Sequence, residues 1–235
     1  MTSSPLFRSG ALIGVIGVIL ALDTQVDARS QLWLGLAASM VLALALRSVS
    51  PLLRAQTLVV VVVATCGEIV GSIIWGVYTY RLENLPSFVP PAHGLVYLAG
   101  VGLASWAAPR RELLVRSALV LVLAWAAAGV TVLPRADVGG ALGASLLAVY
   151  LLRGRAPATY AGVFFVVAWL ELYGTALGTW TWAVEIPGTS VTNGNPPSGV
   201  AAGYVWFDIV ALAAAPSLLA LVQRVRGREL VAQSN

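Results

Sequence analysis

The sequence predicts an all-α membrane protein with eight transmembrane helices, and three observations lead to this prediction. Of the 235 residues, 59% are hydrophobic and 10% are charged, whereas a soluble domain carries about 25% charged residues. Apolar stretches recur along the whole chain, separated by breaks that contain proline, glycine, arginine or aspartate. The arginines concentrate on one side of the resulting arrangement. We therefore expect a chain whose surroundings are mostly lipid.

Eight apolar stretches account for most of the sequence. About 20 residues are needed for one helical crossing, so the second and sixth stretches are short. The predicted helices are Phe7–Leu22, Gln31–Leu46, Thr57–Tyr80, His93–Ala108, Leu113–Leu133, Gly139–Leu152, Thr159–Val184 and Gly199–Val222.

The positive charges predict the orientation of these helices. The chain has 14 basic residues, all of them arginine. With the N-terminus inside, the outside segments hold only Arg29, Arg81 and Arg135. A seven-helix arrangement would scramble this asymmetry, which follows the positive-inside rule. The sequence thus predicts a multi-pass protein of the cell membrane with both termini cytoplasmic.

A repeated motif divides the chain into two halves, residues 1–108 and 109–235. EIVGSIIWGVYTY starts at Glu68 and ELYGTALGTWTW starts at Glu171, and a proline-containing loop follows each. Each half would contain four helices, an even number, so the two halves form a parallel repeat. The alternative is that small and aromatic residues recur in any membrane helix. The matching pairs are Glu68/Glu171, Gly71/Gly174, Ser72/Thr175, Gly76/Gly178, Tyr78/Trp180, Tyr80/Trp182, Pro90-Pro91/Pro196-Pro197 and Gly94/Gly199.

The composition also excludes several functions. Without lysine, no retinal Schiff base can form. One histidine and one cysteine are too few for a zinc site of four nitrogen or sulfur ligands. We therefore predict no metal and no cofactor. The net charge of +4 is attributed to cytoplasmic arginines and not to nucleic-acid binding, so the expected partners are membrane lipid and a lipophilic substrate. The oligomeric state stays open.

Three carboxylic acids fall inside the predicted helices: Glu68, Glu171 and Asp208. The first two are predicted at the bilayer midplane, roughly 16–18 Å from the ends of their helices, and Asp208 roughly 13 Å from the outer end of its helix. An ionisable group at that depth costs about 2.5–3.5 kcal/mol. With no arginine at a matching depth, we expect all three to face the interior and at least one to be an uncharged proton donor. The alternative is that they are hydrogen-bonded anchors between the halves.

Aromatic residues near these acids predict a substrate cavity, because aromatic faces stabilise a carbocation. Tyr80 and Trp182 are assigned instead to the outer aromatic belt. The loops Arg81–Ala92 and Glu185–Ser198 either cap the cavity or only connect helices. His93 begins a helix at the outer interface, where a structural role is the alternative. The predicted substrate-binding residues are Trp75, Tyr78, Trp180, Tyr204, Trp206 and His93.

The position of Glu68 on an early helix and Asp208 on the last resembles the integral membrane terpene cyclases of meroterpenoid and indole-terpenoid pathways. This resemblance implies metal-free cyclisation begun by protonation of an epoxide or a terminal alkene, with Glu68 and Asp208 as the acidic residues. The E-x-x-G…G-x-Y-x-Y run and its proline loop are also similar to membrane proteins of carotenoid biosynthesis, including hydratases. Both resemblances imply acid attack on an isoprenoid double bond.

The sequence therefore predicts a membrane enzyme that cyclises, isomerises or hydrates a lipophilic isoprenoid. Asp208 or Glu68 would be the general acid, and its partner or Glu171 would orient that acid or take the final proton. Two alternatives remain, a proton-coupled transporter of small molecules or lipids and a non-catalytic subunit of a membrane complex.

Overall fold

The computed structural model describes residues 4–233, with side chains described through residue 225. Within this range the chain forms eight α-helices and a two-stranded antiparallel ribbon, which confirms the predicted helical class and number of helices. A π-helical segment, Ile69–Trp75, continues α3, and a short 3-10 helix, Ala108–Arg110, precedes α5. The elements are α1 Pro5–Asp23, α2 Gln31–Arg47, α3 Pro51–Glu68, β1 Tyr78–Tyr80, α4 Val89–Trp106, α5 Arg111–Thr131, α6 Val138–Arg153, α7 Pro157–Leu177, β2 Trp180–Trp182 and α8 Ala201–Gln233.

Among the described residues, five helical segments are long and apolar enough to cross a membrane. Helices α2 and α6 are apolar but shorter. Large apolar side chains are exposed around the bundle, including Trp33 (72%), Ile74 (73%) and Val132 (75%). A soluble protein does not expose apolar surface on this scale. The five segments are Pro5–Asp23, Pro51–Trp75, Ala108–Thr131, Pro157–Leu177 and Ala201–Val225.

Helix α3 begins earlier than the predicted third helix, at Pro51 and not at Thr57. The Oγ atom of Ser50 accepts a hydrogen bond from the backbone N–H of Leu53 at 3.2 Å, and proline follows at the first helical position. Proline suits this position because its missing N–H would have no partner there. These two residues fix the start of the helix.

Two glycines end the helices before the boundaries that the sequence predicts. Gly76 (φ 74°) and Gly178 (φ 72°) adopt the left-handed conformation, which closes a helix at little steric cost only for glycine. The predicted ends at Tyr80 and Val184 are therefore wrong, because the helical segments stop at Trp75 and Leu177.

The residues after these glycines form the ribbon. Tyr78 pairs with Trp182, Thr79 with Thr181, and Tyr80 with Trp180. Since side chains alternate along a strand, the four aromatic residues share one face and point toward the bundle. The two threonines lie on the opposite face and are exposed. The ribbon thus places four aromatic side chains over the ends of α3 and α7.

The centre of the bundle is formed by two extensive helix pairs, α3 with α8 and α4 with α7. Helices α4 and α7 cross where Gly100 meets Gly162 and Val163. A methyl group on Gly162 would collide with the carbonyl oxygen of Gly100. Small residues allow helix backbones in a membrane to approach closely. The crossing holds α4, which carries His93, against α7, which carries Glu171.

Polar anchors fix the loops beside the ribbon. The carboxylate of Asp137, which caps α6, accepts hydrogen bonds from the backbone N–H groups of Gly194 and Ser198, both at 2.7 Å. Gln31 accepts a hydrogen bond from Asn84 at 2.8 Å through its side chain. Each loop is therefore tied to the first turn of a neighbouring helix, which stabilises the ribbon between them.

Candidate active site

Glu68 is the last residue of α3, immediately before the π-helical segment. Glu171 lies six residues before the end of α7. Both carboxyl groups are buried, with 7% and 3% of each residue exposed, which agrees with the prediction that they face the interior. They lie nearer the ribbon than the predicted midplane position, because the helices start earlier and end sooner than expected.

Three side chains bind the carboxyl group of Glu68. Its Oε2 atom accepts hydrogen bonds from the hydroxyl groups of Tyr78 at 2.7 Å and Tyr80 at 2.6 Å. Its Oε1 atom lies 2.8 Å from Nε2 of His93. The three partners come from β1 and α4, so the ribbon and the following helix together fix the orientation of this carboxyl group.

Glu171 is bound by residues of strand β2, as Glu68 is bound by residues of strand β1, but its hydrogen-bond donors are different. The indole N–H groups of Trp180 and Trp182 donate to its Oε2 atom at 2.9 and 3.1 Å. The hydroxyl group of Tyr204 on α8 also interacts with Glu171 and lies within electrostatic range of Glu68. The two carboxyl groups are themselves close enough to interact electrostatically.

Burial controls the ionisation of the two ribbon tyrosines. Loss of hydration in the interior raises the pKa of Tyr78, and the neighbouring carboxyl group of Glu68 raises it further. Burial likewise raises the pKa of Tyr80 well above its ordinary value, with Glu68 as the next cause. Since both influences favour the neutral phenol, these tyrosines remain hydrogen-bond donors across the physiological pH range.

One cavity of about 250 Å³ touches both glutamates. Its wall is otherwise apolar and aromatic. Its lining residues are Ile16, Ile19, Leu20, Gly67, Glu68, Gly71, Trp75, Val77, Tyr78, Tyr80, Phe88, Val89, Ala92, His93, Val96, Leu170, Glu171, Trp180, Trp182, Val200, Gly203, Tyr204 and Phe207. A second cavity, of about 440 Å³, lies at the other end of α4 beside Trp106, Arg110 and Phe165 and has no acid in its wall.

The structure brings together most of the predicted site residues. Both glutamates line the 250 Å³ cavity, with the predicted substrate-binding residues Trp75, Tyr78, Trp180, Tyr204 and His93. Asp208 and Trp206 do not. Of the three predicted catalytic acids, only Glu68 and Glu171 therefore lie at this cavity.

Asp208 is buried in a separate environment on α8. It is 2% exposed, and its Oδ2 atom has no hydrogen-bond partner among the described residues. Tyr97 and Tyr160 lie within electrostatic range of it, and the hydroxyl group of Tyr97 donates to Gln56 at 3.2 Å. Trp206 is half exposed on the surface of α8.

The position of His93 differs from the one predicted from the sequence. The sequence placed it at the outer interface and left the buried acids without a cationic partner. The structure places it in the second turn of α4, 4% exposed, as the hydrogen-bond partner of Glu68. The imidazole ring also lies 5.1 Å from the ring of Tyr204, between ring centroids.

Tyr80 and Trp182 are the functional candidates that the sequence analysis assigned to the aromatic belt. Each binds a buried glutamate and lines the cavity. The signal that could have identified them is the alternation in Y-T-Y and W-T-W, each three residues long and each beginning two residues after a glycine. Such a pattern is typical of a strand with one aromatic face.

These contacts define what the site can do chemically. Two carboxyl groups, one imidazole and three phenols can hold and move protons, and the aromatic wall can stabilise a cation in an apolar space. Among the described residues, no group of three or more His, Cys, Asp or Glu side chains is arranged to bind a metal ion. Comparisons with protein-family models, with characterised proteins and with solved structures found no match for this chain.

Proposed function

We propose that the protein is an integral membrane enzyme that starts a reaction by protonating a carbon–carbon double bond or epoxide of a lipophilic isoprenoid. Cyclisation is the outcome that best fits an apolar cavity, and isomerisation and hydration begin with the same step. The observation that carries the proposal is the pair of buried glutamates at one aromatic cavity. A carboxyl group beside an apolar substrate supplies the proton, and aromatic faces stabilise the resulting cation.

Glu171 is the proton donor in this proposal. Its two closest partners are indole N–H groups, which only donate hydrogen bonds, and both bind Oε2. A proton can therefore reside on Oε1 without competing with them. This assignment differs from the sequence-based one, in which Glu68 or Asp208 was the acid.

Glu68 accepts the final proton. Two phenol donors and the imidazole of His93 surround it, an arrangement that suits an acceptor-only carboxylate. Protonation of the alkene by Glu171 creates a tertiary carbocation, and a second double bond of the substrate attacks this cation to close a ring. Loss of a neighbouring proton to Glu68 restores an alkene. In this proposal Tyr204, which interacts with Glu171 and lies within electrostatic range of Glu68, returns the proton to Glu171, so the overall reaction is an isomerisation.

The proposal includes the membrane arrangement. All eight helices cross the bilayer, residues 1–108 and 109–235 are parallel repeats, and both termini are cytoplasmic. The strand register supports the repeat, because the equivalent residues Tyr78 and Trp180 pair with Trp182 and Tyr80, respectively. Two copies related by a twofold axis pair in this reciprocal way. The reciprocal helix pairs α3–α8 and α4–α7 follow the same relation.

Substitution of the acids tests the proposed function. Glu171→Gln and Glu68→Gln, assayed with linear and prenylated isoprenoids by mass spectrometry, should each lose product formation by at least about a hundredfold, a typical contribution of one acid or base. Glu112→Gln is the matched control, because Glu112 is a highly exposed acid on α5. Asp208→Asn separates the two assignments, since only the sequence-based one gives Asp208 a catalytic role. Full product formation by both Glu68→Gln and Glu171→Gln would refute the proposed acid-initiated reaction.

A proton-coupled carrier is the second candidate, and one structural feature favours it. Helix α3 changes to π-helical geometry directly after Glu68, and irregular helices beside an ionisable residue are typical of transport sites. Flux of an isoprenoid or another lipid into proteoliposomes, dependent on a pH gradient and abolished in Glu68→Gln, would support the carrier. Conversion of the isoprenoid to a product in these proteoliposomes without a pH gradient would support the proposed enzyme activity.

A further inference from the structure

Part of the cavity wall lies at the surface of the bundle. Of its lining residues, only Trp75, at the end of the π-helical segment, and Gly203, in the first turn of α8, are exposed. The lining residues Gly67 on α3, Gly71 on the π-helical segment and Phe207 on α8 are partly exposed. The two exposed lining residues therefore lie at the end of the π-helical segment and at the start of α8.

Two glycines, Gly67 and Gly203, line this part of the wall. A methyl group on Gly203 would meet no atom within 4 Å, so empty space lies directly beside the backbone there. On the facing helix, a methyl group on Gly67 would lie 2.8 Å from the ring of Phe207. A side chain at Gly203 would occupy the empty space, whereas at Gly67 the ring of Phe207 already packs against the backbone.

The surface outside this gap faces lipid. Val70 and Ile74, on the π-helical segment, are 51% and 73% exposed. Trp206 lies three residues after Gly203, on the same side of α8, and is 49% exposed. The indole N–H of Trp75 donates to the carbonyl oxygen of Pro187 at 3.1 Å, which fixes this side chain at the edge of the gap. An apolar molecule dissolved in the bilayer meets an apolar entrance here.

The volume of the cavity limits what can enter. An apolar cavity of about 150 Å³ holds one benzene molecule, so by proportion a cavity of about 250 Å³ holds about ten carbon atoms. An isoprenoid longer than this cannot be enclosed. Its remaining chain must leave the cavity through the wall, and the gap leads directly into lipid.

On this basis, and resting on the proposed function, we propose that the gap between Trp75 and Gly203 is a lateral entrance through which one end group of a long membrane-dissolved isoprenoid reaches Glu68 and Glu171. The rest of the chain stays in the bilayer, beside Trp75 and Trp206. The substrate class in this proposal is a linear isoprenoid of more than about ten carbon atoms that reacts at its end.

A bulky side chain at Gly203 tests the entrance. Gly203→Phe would fill the gap without displacing any neighbour of Cβ. The matched control is Gly14→Phe, because Gly14 is also an exposed helical glycine with no atom within 4 Å of a Cβ position, and it does not line the cavity. Both variants, wild type and Glu171→Gln are reconstituted in phosphatidylcholine vesicles that contain a long conjugated polyene. Binding is measured as the saturable quenching of tryptophan fluorescence.

We expect Gly203→Phe to weaken saturable binding at least about tenfold and Gly14→Phe to bind like wild type. Equal binding by wild type and Gly203→Phe would contradict the proposed entrance. Equally weakened binding in Gly203→Phe and Gly14→Phe would contradict it as well. Glu171→Gln separates this inference from the proposed function. If Glu171→Gln forms product, the catalytic assignment fails, while the binding comparison at Gly203 still decides the entrance.

Discussion

At the scale of single residues, the two buried glutamates are bound by the aromatic residues of two different strands. Tyr78 and Tyr80 bind Glu68, whereas Trp180 and Trp182 bind Glu171. A phenol can pass a proton on, but an indole N–H can only donate a hydrogen bond. The difference in partners gives two carboxyl groups in one cavity different capacities to exchange protons.

The ribbon tyrosines give a prediction for alkaline pH. Burial raises the pKa of Tyr78 and Tyr80, so both phenols should stay neutral at pH about 11, where an ordinary tyrosine with a pKa of about 10 is ionised. In the unfolded chain they would ionise, so their contribution to stability is complete below pH about 10 and is lost as the pH rises further. Tyrosinate absorbance of the native protein at this pH should be equal in wild type and Tyr78→Phe/Tyr80→Phe. A smaller absorbance in the double variant would show that these phenols ionise normally.

Removing one indole donor should destabilise the protein. Trp180→Phe keeps an aromatic ring but removes one of the two indole hydrogen bonds to the buried carboxyl group of Glu171, and one hydrogen bond contributes about 0.5–1.5 kcal/mol. We expect a lower thermal unfolding temperature in detergent. Trp33→Phe, on the exposed surface of α2, is the control and should unfold like wild type. Identical unfolding of both variants would mean that this hydrogen bond does not stabilise the fold.

At the scale of elements, glycines determine where helices meet and where they end. We expect Gly162→Ala to lower stability by about 1–3 kcal/mol, the usual cost of overpacking, because its methyl group would collide with the carbonyl oxygen of Gly100 on α4. Gly14→Ala on α1, where a methyl group meets no atom within 4 Å, should not be destabilised. Thermal unfolding in detergent measures both. Equal stability of the two variants would contradict the close crossing of α4 and α7.

The same elements indicate what could be predicted from the sequence. Long apolar periods predict helices reliably, and the burial of Glu68, Glu171 and Asp208 follows from the cost of an exposed charge in lipid. The ribbon was not predicted, because a short aromatic run next to an apolar helix reads as more helix. The hydrogen bond between Glu68 and His93 joins residues 25 positions apart. Such a contact depends on how α3 and α4 pack, which periodicity does not determine.

At the scale of the whole molecule, the proposed topology places the loops at the two ends of the bundle on opposite sides of the membrane. In a Cys66→Ser background, which removes the one natural cysteine, Ser48→Cys should react with a membrane-impermeant maleimide only in inside-out vesicles. Ser190→Cys should react only in right-side-out vesicles. Both serines are exposed, so access to the reagent decides the result. Labelling of both from the same side would contradict an arrangement of eight crossings.

The assignment of Glu171 as the proton donor is tested by infrared spectroscopy of protonated carboxyl groups at neutral pH. The spectra of wild type and Glu171→Gln are compared. We expect the variant to lose one carboxyl band that the wild type shows, because Glu171 carries the proton that starts the reaction. Identical carboxyl bands in the two proteins would mean that Glu171 holds no proton to donate, which would contradict its assignment as the acid.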